Sequence, residues 1–178
     1  MLVEMANVHL FPSGQSYDCH KQLNPSLLKS APIRPNQSFY VFIATANQDD
    51  QLLIAQSLRG SMPTVRLNYA QTPEQTLQCL VDYTAEYYNF PRLLILDLEM
   101  AHRQLAWHLL EAIRVHYPTL TIVMTSLDYR SATRRQAYTL GAHAFIGKSK
   151  DWDQWKEQVD GLAHYWLKLA ILPGQPLF

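Results

Sequence analysis

The sequence has no excess of either charge. Lys plus Arg number 15 and Asp plus Glu number 15, a formal balance of zero. That excludes a protein that works mainly by blanketing nucleic acid with positive charge, and it excludes a polyacidic metal buffer. A neutral chain also gains little from self-repulsion, so self-association is expected. Cysteine is scarce. Cys19 and Cys79 are the only two, neither in a Cys-x-x-Cys pair, too few for a disulfide framework and read as reduced thiols. The six glycines form no phosphate-binding loop, and no nucleophile sits in a Gly-x-Ser-x-Gly setting. No apolar run approaches the roughly 18–20 residues of a membrane span. Met1 to Pro12 lack the charged start and long apolar stretch of a secretory signal, so a cytoplasmic protein is expected. Seven histidines are present, but the closest spaced, His102, His108 and His116, lack the three- or four-residue spacing of ligands on one helix face. They read as surface histidines, and no metal site is expected.

What is present suits a folded domain. Hydrophobic residues make up 48% of 178 residues, enough for one core. Residues 1–38 hold Pro12, Pro25, Pro32 and Pro35 and read as an N-terminal extension. From Phe39 the pattern becomes regular. Phe39–Ala44 is a continuous apolar run, as expected of a strand covered on both faces. Asp49–Leu58 reads as a helix and Thr64–Tyr69 as an alternating strand. Thr72-Pro73-Glu74 is a capped helix start. Leu93–Leu96 is an apolar strand ending on Asp97. Helix Leu105–His116, strand Leu120–Met124 ending on Thr125, helix Arg130–Leu140 closed by Gly141, a short strand Ala144–Ile146 ending near Lys148, and helix Trp152–Leu169 complete the pattern. Five alternations of strand and helix predict an α/β fold: a doubly wound five-stranded parallel sheet flanked by five helices. In such sheets the working site lies at the carboxyl ends of the strands.

Three strand ends supply Asp97, Thr125 and Lys148. A carboxylate, a hydroxyl and an ammonium at one sheet edge suit phosphoryl transfer. The carboxylate is the nucleophile, the ammonium neutralises phosphoryl oxygens, and the hydroxyl donates a hydrogen bond to one of them. Leu93-Leu94-Ile95-Leu96-Asp97-Leu98-Glu99-Met100, Ile122-Val123-Met124-Thr125-Ser126 and Gly141-Ala142-His143-Ala144-Phe145-Ile146-Gly147-Lys148-Ser149 follow one another in an order and spacing that resemble the response-regulator receiver domain, the CheY-like fold. The resemblance covers residues 39–170 and leaves a tail at 171–178. It implies Asp97 as phosphoacceptor, Thr125 as switch hydroxyl, Lys148 as the phosphate-contacting lysine and Phe145 as the rotating aromatic. Tyr165–Pro173 looks like the C-terminal extension of single-domain receivers similar to phytochrome response regulators.

One departure changes the expected chemistry. The resemblance implies a pair of acidic residues directly after the first strand, holding Mg²⁺. Thr45 and Ala46 stand there instead. Mg²⁺ favours carboxylate oxygens in near-octahedral geometry, so Asp97 with a main-chain carbonyl from Glu99 should bind it poorly. Asp49 and Asp50 read as helix-capping, first-turn residues complementing the dipole rather than as metal ligands, and Glu99 as a solvated side chain. Without the acidic pair, Asp97 loses like-charged neighbours that would raise its pKa, and Lys148 can pair with it directly. Transfer without Mg²⁺ should be slow.

The expected function is therefore a stand-alone response regulator or pseudo-receiver in two-component signal transduction. It would act by protein contact, with weak or absent Mg²⁺-dependent phosphorylation of Asp97, no resident cofactor and no enzyme activity. The alternatives are a fully phosphoaccepting phosphorelay receiver and a small hydrolase with Asp97 as nucleophile. Arg130, Arg134 and Arg135 on the fourth helix, with Tyr165 and Trp166 on the last, are the expected partner surface. Most of the stripe Trp152, Trp155, Val159, Leu162, Trp166 and Leu169 is expected in the core. The expected partners are a sensor histidine kinase or another signalling protein and a second copy of the chain, with no nucleic acid and no membrane.

Overall fold

The computed structural model describes residues 39–85 and 90–172. The extension at 1–38 with Cys19, and the tail from residue 173, lie outside the described residues. Five strands, β1 (Tyr40–Ala44), β2 (Arg66–Ala70), β3 (Leu93–Asp97), β4 (Thr121–Ser126) and β5 (Ala144–Gly147), form one parallel sheet in the order β2-β1-β3-β4-β5. Helices α1 (Gln48–Ser61), α2 (Pro73–Ala85), α3 (Arg103–His116), α4 (Ser131–Thr139) and α5 (Trp152–His164) connect and follow them.

The sheet is sandwiched because its strands are apolar on both faces. The period-two alternation of a strand sends successive side chains to opposite sides. Phe42, Leu94, Leu96, Ile122 and Met124 face one core with Leu80 of α2, Leu110 and Ile113 of α3, and Ala137 of α4. Val41, Ile43, Leu93, Ile95 and Val123 face the other with Leu53, Ile54 and Leu58 of α1 and Trp155, Val159 and Leu162 of α5. Each fully buried aliphatic side chain contributes about 1.5–3 kcal/mol by leaving water, so losing either face would unfold the domain.

Helix starts follow local chemistry. Asn47 caps α1, its Oδ1 accepting from the N–H groups of Asp49 at 2.9 Å and Asp50 at 3.2 Å. The capping role expected of the aspartates thus falls to Asn47. Thr72 Oγ1 accepts from the Gln75 N–H at 3.2 Å, and Gln75 Oε1 accepts from the Gln71 N–H at 2.7 Å, a reciprocal cap before Pro73. Gly141 closes α4 at φ +97°, a conformation that L side chains rarely adopt.

One expectation changes here. The last helix ends its α-helical part at His164 and continues as a π-helical turn, Tyr165–Leu169. Most of the expected stripe is in the core; the shift in pitch affects only residues after His164, such as Leu169. Trp155, Val159 and Leu162 are buried and Trp166 is half-buried against the same core, whereas Trp152 and Leu169 are exposed. Leu167 and Leu172 return to that core, so the packed domain reaches residue 172.

Candidate functional site

Where β1 and β3 lie side by side, their following helices leave to opposite faces of the sheet, and a cleft opens beyond the strand ends. Thr45 follows β1, Asp97 ends β3, Thr125 pairs with Asp97 across β4, and Lys148 follows β5. The cleft has a volume of about 390 Å³ and is lined in part by Asp50, Asp97, Glu99, Leu127, Lys148 and Trp155.

Lys148 is the centre of the site. Its Nζ lies 2.7 Å from Asp97 Oδ1, 2.9 Å from Asp50 Oδ2 and 3.5 Å from Glu99 Oε2. Lys148 is 5% exposed and Asp97 2%. Thr45 Oγ1 donates to Asp97 Oδ2 at 2.7 Å and accepts from the Asn47 N–H at 3.2 Å. Both carboxylate oxygens of Asp97 are therefore occupied, and Oδ1 also accepts from the Glu99 N–H at 3.2 Å. The direct Asp97–Lys148 pair expected from the sequence is present.

The other carboxylates correct the sequence reading. Asp50 lies in the first turn of α1, as expected, but its carboxylate serves more than the helix dipole. It is buried, with Oδ2 on Lys148 and Oδ1 accepting from the Trp155 indole Nε1–H at 2.8 Å. Glu99 is exposed, as expected, but its carboxylate is held in place. Its Oε1 accepts from Ser126 Oγ at 2.6 Å and its Oε2 from the Leu127 N–H at 3.1 Å. Asp97 does not escape a raised pKa. Burial pushes it above the usual carboxylate range, against the lowering effect of Lys148 and of the Thr45 hydrogen bond. Burial alone would lower Lys148, but Asp97 and Asp50 outweigh it and hold the ammonium above its ordinary value. The pair responds unequally because one ammonium serves several carboxylates. We take Lys148 as firmly charged and Asp97 as the group under stress.

The remaining predicted residues fall on either side of this network. Thr125 is buried beside Asp97, and its Oγ1 has no hydrogen-bond partner. Phe145 is half-buried against the core that holds α2, α3 and α4. Neither joins the Asp97 hydrogen bonds. Arg130 chelates Asp128 with Nε and Nη2, both at 2.8 Å. That guanidinium, with Arg103, holds the Asp128 carboxyl far below the usual range. Arg134 and Arg135 are exposed. Tyr165 is exposed too, whereas Trp166, expected on the partner surface, packs partly against the core. The reading missed Asp50 and Trp155 as site residues. A signal existed for Asp50, because it stands three residues after the cap Asn47, one turn into the helix that begins at the strand end.

The residues present do not fit the Mg²⁺ that the resemblance implies. An ammonium sits among Asp50, Asp97 and Glu99, where a cation would need their oxygens. Thr45, at one position of the acidic pair, supplies a hydroxyl already committed to Asp97. Among the described residues no group of three or more His, Cys, Asp or Glu side chains is arranged to hold a metal ion, and no helix is long and apolar enough to cross a membrane.

No protein-family model matches the chain, and no curated protein matches it. Solved structures do. The phosphorylated cyanobacterial phytochrome response regulator RcpA is 24% identical, covering 76% of this chain and 99% of its own, with a TM-score of 0.67. The Mn²⁺-bound form of response regulator Rcp1 is 19% identical over 76% of this chain and 99% of its own, with a TM-score of 0.66. A response regulator in red light signaling of R. palustris is 20% identical over 76% and 98%, with a TM-score of 0.63. The chain therefore has the response-regulator receiver fold, five parallel strands with their crossover helices, as its sequence pattern predicts.

Proposed function

We propose that the protein is a stand-alone receiver-type protein of two-component signalling that acts through protein contacts, with weak or absent Mg²⁺-dependent phosphorylation of Asp97. The observation that carries this reading is the occupation of Asp97. Lys148 and Thr45 hold its two oxygens at 2.7 Å each, so the attacking oxygen is engaged at rest. An incoming phosphoryl group also lacks the cation that would spread its charge, which is the main source of catalysis in phosphoryl transfer. A hydrolase reading is less well supported, because Asp50 and Glu99, the acids near Asp97, are both tied to Lys148.

Incubation with acetyl phosphate and Mg²⁺ tests the proposal. The expected result is little labelling, unchanged by Mg²⁺. Rapid Mg²⁺-dependent labelling lost in Asp97→Asn would overturn it in favour of a phosphorelay receiver. Contact with a sensor kinase or other signalling protein is assigned to the α4 side, where Arg134, Arg135, Tyr129 and Tyr138 are exposed. Contact with a second copy is assigned to the turn after α5. There Tyr165, Leu169 and Ile171, close together in the chain, are 51%, 63% and 78% exposed.

A further inference from the structure

Four buried side chains form one line of hydrogen bonds across the site. Asp97 Oδ1 meets Lys148 Nζ at 2.7 Å, Lys148 Nζ meets Asp50 Oδ2 at 2.9 Å, and Asp50 Oδ1 accepts from Trp155 Nε1 at 2.8 Å. The line begins at the strand end of β3 and finishes inside α5. Trp155 is 3% exposed and packs with Val159, Leu162 and the α1 residues Ile54 and Leu58. The other route out of the site is not connected in this way. Thr125 Oγ1 bonds to nothing, and Phe145 packs in the core on the opposite face of the sheet.

We infer that Asp50 and Trp155 are positioning residues that couple the charge on Asp97 to the placement of α5. This rests on the proposed function only in taking Asp97 as the residue whose charge changes. The physical basis is competition for one ammonium. Lys148 has Asp97 and Asp50 as close partners, and what one loses the other gains. When the charge on Asp97 is removed, Lys148 leans toward Asp50 and neutralises it more fully. Asp50 then becomes a weaker acceptor for the Trp155 indole, and the contact between α1 and α5 loosens at that point. When Asp97 draws Lys148 closer, Asp50 is left more anionic and grips the indole harder. The movement is delivered to the helix whose continuation carries the exposed Tyr165 and Leu169.

The indole N–H signals of the four tryptophans, recorded by ¹H–¹⁵N NMR on the full chain, test this, with Trp155 assigned from Trp155→Phe. Asp97→Asn should move the Trp155 indole proton upfield, as its hydrogen bond weakens. Thr45→Val, which keeps the side-chain shape and removes the hydroxyl that shares Asp97 with Lys148, should move it downfield. Trp107, on the opposite face of the sheet, should stay in place in both variants. A Trp155 that merely fills the core predicts no response to either substitution. An unmoved Trp155 signal, movement in the same direction in both variants, or equal movement of Trp107 overturns the inference. Should one variant fail to fold, the sign of the shift in the other still decides it. No phosphoryl group enters the measurement, so failure here leaves the labelling result intact, and failure there leaves this one intact.

Discussion

Lys148 carries one positive charge among three carboxylates, and that imbalance decides how each substitution in the site behaves. Removing the ammonium leaves the buried Asp50 and Asp97 without a counter-charge, a change that costs about 3–5 kcal/mol. Lys148→Met should therefore lower the urea midpoint sharply. Removing Asp97 is different, because Lys148 keeps Asp50 and Glu99. Burial already disfavours the ionised Asp97 carboxyl, so Asp97→Asn should leave the midpoint unchanged or raise it. The pH dependence follows the same signs. Lys148 is raised in the folded state, so its contribution is complete below the ordinary lysine value of about 10.5 and is lost as pH rises through the higher folded value. For Asp97, also raised, ionisation costs stability that returns as pH falls. Restoring the acidic pair makes a further test. Thr45→Asp with Ala46→Asp puts new carboxylates beside Asp97, and the melting temperature should fall and then recover on adding Mg²⁺, a response the unsubstituted chain should lack.

At the scale of elements, the same substitution has opposite signs at two glycines. At Gly141 the backbone stands at φ +97°, and a new Cβ would meet Arg114 Nε at 2.8 Å. Gly141→Ala should cost on the order of 1–3 kcal/mol in denaturant unfolding. Gly161 lies within α5 with nothing within 4 Å of a new Cβ. Gly161→Ala should stabilise by about 0.5–1 kcal/mol through helix propensity alone. The start of β4 has its own pH dependence. His143 Nδ1 accepts from the Ile122 N–H at 3.0 Å, while the His143 N–H donates to the Ile122 carbonyl at 2.8 Å. Burial first, then Arg114, holds this imidazole below its ordinary value. The neutral ring is the folded form, so its contribution is present above about pH 6.5 and lost as pH falls through the lower folded value. The ring is partly exposed, so the effect is modest, and His143→Gln should flatten that part of the stability profile.

At the scale of the whole molecule, the exposed apolar group after α5 separates packing from association. Cutting the chain near Ala163 would remove Leu167 and Leu172 from the core and confuse the two. Replacing Tyr165, Leu169 and Ile171 by serine touches exposed positions only. Sedimentation should shift toward the monomer while the melting temperature holds; a monomer before and after would remove the case for a dimer.

The fold was legible because its signals are local. Apolar runs with period two, Thr72-Pro73, Gly141 and the polar strand ends each constrain a few neighbouring residues, and the parallel sheet follows from their alternation. Asp97 and Lys148 were legible for the same reason, since each ends a strand of that sheet. The site's counter-charges were not. Asp50 lies 98 residues from Lys148 and 105 from Trp155, and an aspartate in a first helical turn reads as a solvated dipole partner wherever it points. The turn after His164 was equally hidden, because one π-helical turn rotates every later side chain without changing the residue pattern. The alternation of strands and helices, and the charge at the strand ends, depend on neighbours along the chain and were readable from it. That Lys148 answers to three acids, and that the indole of α5 holds one of them, emerged from the fold alone. Electrostatic partnership in a buried site depends on distance in space, which no local pattern records.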